Sequence, residues 1–77
     1  MLETIIAAYK LADKAYEDAI TTKIQMDEAL RSVPVGDEKL YQRVIAVYEE
    51  CVHAVNAAWY AKDAINKLMM DLPKKEK

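Results

Sequence analysis

The residues that would interrupt a helix occur in just two places along this chain. One glycine and two prolines are found in 77 residues, and they fall at Pro34 and Gly36, then at Pro73. Pro34 cannot donate a backbone hydrogen bond and disfavours helical geometry in the residue before it, while Gly36 supplies a backbone freedom that a helix has no use for. The stretch Ser32-Val33-Pro34-Val35-Gly36-Asp37 therefore reads as the interior turn, with Asp37 as the N-cap of a second helix. On either side lie two unbroken segments, about 2–32 and about 38–71, rich in Ala, Leu, Glu, Lys and Met, which favour helix. Each predicts a helix of ~45–50 Å. A loop over about 33–37 is short enough to bring them together as an antiparallel hairpin. Pro73 ends the second helix, and the basic tail 73–77 is expected to fray with its lysines near the negative end of the helix dipole. The whole of 1–77 is one small helical-hairpin domain.

Heptad spacing specifies which faces meet. In the second segment Leu40, Val44, Val47, Cys51, Ala54, Ala58, Ala61, Ile65, Leu68 and Leu72 recur at 3-4 intervals and are all apolar, the mark of a coiled-coil seam. In the first, Leu2, Ile5, Tyr9, Ala12, Tyr16, Ala19, Lys23, Met26, Leu30 and Val33 form an equally long frame broken only by Lys23, whose stem can lie along the seam while its charge reaches water. Folding about Pro34 sets residues whose numbers add to about 70 across from one another. Ala12 and Ala19 then face the neighbourhood of Ala58 and Cys51, an Ala-rich contact with closely spaced axes, while Tyr9 and Tyr16 fill the spaces beside Ala54, Ala58 and Ala61. Asp27 with Arg31, and Asp63 with Lys67, are acid-before-base pairs four residues apart that support the helices locally.

The second helix carries more apolar surface than one neighbour can cover. Beside the seam runs another stripe, Tyr41, Ile45, Tyr48, Val52, Val55 and Trp59, which fades at Lys62 and Asn66. The first helix has a shorter counterpart in Ile6, Ile20 and Ile24, with Leu11 on another flank. Full burial of each large side chain is worth roughly 1.5–3 kcal/mol, so association is expected, most simply as a two-fold dimer of hairpins forming a four-helix bundle. A larger helical oligomer or a larger protein partner would satisfy the same stripe. Five tyrosines and one tryptophan, with no phenylalanine, suit an interface better than a dry core.

Composition limits the alternatives. Eleven basic against thirteen acidic side chains leave a net charge of −2, which exerts no long-range attraction on nucleic acid or an anionic membrane. The single Cys51 cannot form an intramolecular disulfide, and in the seam it reads as a small buried hydrophobe; a cytoplasmic location is expected. The N-terminus has no basic leader followed by an apolar run, and no stretch approaches the ~18 apolar residues of a membrane span. Secretion and membrane contact are not expected.

Candidate chemistry is sparse. Glu50 and His53 form a Glu-x-x-His, and a dimer of hairpins could add Glu17 to imitate the carboxylate set of di-metal bundles. Glu50 and His53 flank the seam and Glu17 lies toward solvent, so no metal site and no cofactor are expected. There is no phosphate-binding glycine loop, no cysteine cluster and no second histidine, and Glu49 beside Glu50 is not evidence for acid–base catalysis. The chain is not expected to be an enzyme. Lys39 and Arg43, with Tyr41 between them, are the best local basic and aromatic group for a nucleic acid, and Arg43 and Lys62 with Tyr48, Trp59 and Tyr60 would contact a nucleotide-like ligand held between subunits. In architecture alone the layout is similar to the small RNA-binding plasmid-copy-control hairpins that dimerise into four-helix bundles; no motif is shared residue by residue. The reading that results is an all-α hairpin acting as a non-catalytic, homo-oligomeric binding or regulatory module of the adaptor or inhibitor kind.

Overall fold

The structure, a computed structural model, describes residues 1–72, and both of its regular elements are helices. α1 runs Leu2–Arg31 and α2 runs Glu38–Asp71, and the two pack against each other along their length. The expected Pro73 stop and the tail 73–77 lie outside the described residues.

The turn is built by the residues that break the helical pattern. The backbone N–H of Ser32 donates to the carbonyls of Glu28 and Ala29, and its hydroxyl to that of Glu28 at 2.9 Å, so the last turn of α1 is closed by its own carbonyls. Val33 adds one tighter bond to Leu30 before Pro34 ends the helical path. The N–H of Asp37 then donates back to Pro34 across Val35 and Gly36. Gly36 has φ +94°, the left-handed value that the third residue of a type II turn requires and that side-chain-bearing residues avoid. Asp37 is the N-cap that its residue type and place predict: its carboxylate accepts from the Leu40 N–H at 3.2 Å, satisfying one of the donors that a helix start leaves free.

The seam of α1 follows its heptads. Ile5, Tyr9, Ala12, Tyr16, Ala19, Lys23, Met26, Leu30 and Val33 are all half-buried, and of the frame only Leu2 is exposed. The seam of α2 is a correction. Half-buried residues recur at 4-3 spacing at Val44, Tyr48, Cys51, Val55, Ala58, Lys62, Ile65, Met69 and Leu72, with Ile45, Val52, Asp63 and Asn66 half-buried beside them. The spaced set shares Val44, Cys51, Ala58, Ile65 and Leu72 with the expected frame and replaces Val47, Ala54, Ala61 and Leu68 by the next residue along, while Leu40 has no half-buried counterpart. Val47 and Leu68 are left 49% and 48% exposed, and Leu40, Ala54 and Ala61 are also on the surface. Size explains the choice, because rotating α2 this way turns Tyr48 and Val55 inward in place of Val47 and Ala54. More apolar area is then covered against α1, at the cost of bringing Lys62 into the seam.

Lys62 marks the register. Its ammonium stands between two tyrosines one heptad apart on α1, 6.0 Å from the ring centre of Tyr9 and 5.0 Å from that of Tyr16. That places it level with Ala12, the small residue between them, where the sequence pairing had set Ala12 near Ala58. Carried along the heptads, this register places Ala19 level with Val55 and Met26 level with Tyr48. Ala12 and Ala19 thus stand against the larger Lys62 and Val55, where the sequence pairing sets small against small. The expected pairs along each helix are present at Arg31–Asp27 (2.8 Å) and Lys67–Asp63 (3.1 Å). Pairs of this kind add a few tenths of a kcal/mol each.

Candidate interaction faces

None of the described residues is buried. A two-helix hairpin shields each seam residue from one side, so both flanks of the seam stay open. In an antiparallel pair, the residues just C-terminal to the seam positions on both helices share one side, and those just N-terminal to them share the other.

The first of these sides carries Ile6, Asp13, Ile20 and Asp27 from α1 with Ile45, Val52, Trp59 and Asn66 from α2. Six of these eight are half-buried, and Ile6 and Trp59 are more exposed. Asp13 reaches Lys62 Nζ at 2.7 Å, an ion pair across the helices with the lysine side chain 26% exposed. The hydrogen bond to Asp13 holds the Lys62 ammonium above its ordinary pKa, with further support from the charge of Asp13 and the two tyrosines; desolvation opposes the shift.

The opposite side is different in kind. Its row nearest the seam consists of Ala8, Ala15, Thr22 and Ala29 from α1 with Leu40, Val47, Ala54, Ala61 and Leu68 from α2, and an outer row carries Leu11, Asp18 and Gln25 from α1 with Arg43, Glu50, Ala57 and Ala64 from α2. All nine residues of the inner row are exposed and none is charged. The sequence reading assigned the α2 members of this inner row to the hairpin closure, and the rotation of α2 returns them to the surface. Exchange of these two sets is what sequence reasoning missed. Residue bulk at positions 48 and 55 compared with 47 and 54 was the signal that could have found it.

The stripe expected to seek another chain is accordingly divided. Tyr48 and Val55 sit at seam positions, Ile45 and Val52 are half-buried on its edge, and Tyr41 and Trp59 are the more exposed members. Trp59 meets Tyr60 edge to face, with ring centres 5.3 Å apart, and Tyr60 is 67% exposed on the outer surface. Lys39 and Arg43 are exposed near the start of α2. Lys62 lies 19 residues beyond Arg43, about 28 Å along the helix, and is turned to Asp13, so these basic groups do not converge. Tyr41 joins Leu30, Val33 and the turn in a shallow depression at the hairpin tip.

Glu17, Glu50 and His53 are all exposed. Among the described residues no three His, Cys, Asp or Glu side chains are grouped to hold a metal ion. Cys51 is half-buried with a free thiol. No helix in the described region is long and apolar enough to cross a membrane.

Comparison of the chain with protein-family models, with curated proteins and with solved structures finds no match. Its functional reading therefore rests on its own surface.

Proposed function

We propose that this chain is a non-catalytic binding module that works as a homo-oligomer, in the simplest form a dimer of hairpins making a four-helix bundle, and that regulates or tethers a larger protein through surface contacts in the cytoplasm. One observation carries the reading. The chain folds its heptads together without burying a single described residue, and leaves Leu40, Val47, Trp59 and Leu68 between 41% and 49% exposed. Small domains of this size sit near the limit of independent stability, and association is a common remedy. A second pair of helices would convert half-buried seam positions into a closed core. The spread of basic side chains along α2 gives less support to a nucleotide or RNA ligand, which would need them together.

Sedimentation equilibrium at tens of micromolar tests the proposal. The expected result is a mass of twice the chain or a higher multiple, with helical circular dichroism retained. A well-folded monomer at that concentration would refute it.

A further inference from the structure

We infer that the surface on which a second copy docks is the side of the hairpin whose inner row is uncharged, centred on Ala54, and not the side bearing Trp59. This rests on the self-association proposed above and specifies where it occurs. Three observations converge on it. First, the row of that side nearest the seam is exposed throughout and carries no charge, whereas the corresponding row on the Trp59 side holds Asp13 and Asp27; the charges here, Asp18, Arg43 and Glu50, stand outside it. The Trp59 side would have to bury the Asp13–Lys62 pair and Asp27, a cost that burial of ion pairs rarely recovers.

Second, the bulk of the side chains is arranged symmetrically. Leu40 and Leu68 stand two heptads before and after Ala54, with Ala61 and the α1 residue Ala15 near the middle. A two-fold axis perpendicular to the helices and passing near Ala54 lays Leu40 of one copy beside Leu68 of the other. The alanine waist lets the axes approach toward the short end of the ~8–10 Å range. Third, the area is sufficient. The rows run about 32 Å along α1 and about 42 Å along α2, and a strip about 10 Å wide on each offers roughly 700 Å² per copy, near the ~800 Å² per partner of a stable interface.

The experiment uses the full chain and three variants: Ala54→Glu, Ala54→Lys and Trp59→Ala. Glutamate and lysine are good helix formers, so each charge tests the face rather than the helix. With the parent dimeric, Ala54→Glu and Ala54→Lys alone should each weaken dimerisation by roughly a hundredfold or more, because like charges meet unpaired near the axis. An equimolar mixture should recover the dimer mass, and Trp59→Ala should remain dimeric. If loss of the dimer also unfolds the single variants, recovery of helical signal on mixing is the deciding readout. A dimer of Ala54→Glu as tight as the parent overturns the assignment of the face. So does a mixture that fails to recover, or a Trp59→Ala variant that dissociates. A monomeric parent overturns the self-association reading itself, so the two failures are distinguishable.

Discussion

Tyr48 separates two accounts of α2, and its removal gives a measurable difference. In the observed rotation Tyr48 is half-buried against α1, whereas Tyr60 on the same helix is 67% exposed. A fully buried aromatic side chain covers ~150–250 Å², so half-burial removes about 100 Å² from water, worth ~2.5 kcal/mol at ~25 cal/mol per Å². Residual compactness of the unfolded chain lowers this to ~2 kcal/mol. Alanine returns ~0.5 kcal/mol through its better helix preference. Tyr48→Ala should therefore destabilise the hairpin by about 1.5 kcal/mol, and Tyr60→Ala, with less area to lose, by about 0.5 kcal/mol or less. Urea unfolding followed by circular dichroism measures both, and sedimentation at each protein concentration follows assembly. Since Tyr48 faces its own α1, its loss should alter the unfolding midpoint at every concentration while the dimerisation constant of the folded chain changes little. Equal midpoints for the two variants, or an effect of Tyr48→Ala confined to dimerisation, would show that Tyr48 points away from the seam and refute the rotation of α2.

The turn and the seam give three further expected outcomes. Asp37→Ala removes the cap on the Leu40 N–H and should cost about 1 kcal/mol, lowering the melting temperature by ~4–8 °C for a domain of this size; an unchanged melt would show that the cap contributes nothing. Gly36→Ala finds open space for its methyl group within 4 Å, so its loss of about 1 kcal/mol would come from the left-handed φ alone, and Gly36→Asn should lose less. Lys62 titrates above its ordinary value when folded, so its contribution is fully present below the ordinary lysine pKa and disappears as pH rises through the folded value. Stability measured against pH should fall more steeply in that alkaline window for the parent than for Lys62→Met, and parallel curves would remove the Asp13 pair from the explanation.

How legible this architecture is in the sequence differs between its two arms. The turn is written in residue types with single meanings, since Pro34, Gly36 and Asp37 each do there what their covalent chemistry allows best. The seam of α1 is readable for a related reason: rotation by one residue would trade Tyr9, Tyr16 and Leu30 for Lys10, Glu17 and Arg31 in one direction or for Ala8, Ala15 and Ala29 in the other, and so lose contact area. α2 offers no such contrast. Apolar side chains occupy three adjacent heptad positions, and counting apolar residues prefers the frame that omits Lys62. The frame adopted is settled by bulk and by Asp13, a partner on the other helix that no pattern within α2 can reveal. The same ambiguity lets the apolar pattern run an interaction stripe through Tyr48 and Val55, which α1 half covers, and a closed seam through Val47, Ala54 and Ala61, which lie on the surface.

The position of Trp59 gives this chain an optical property of its own. It is the sole indole in the sequence, nearly half exposed, with Tyr60 against its edge, and it lies on the opposite side from the face inferred to meet a second copy. Its fluorescence should thus report unfolding of the hairpin and remain steady when the assembled protein is diluted into separate folded chains. Emission and scattered light, recorded together across a dilution series, would then separate the loss of a partner from the loss of the fold without any label.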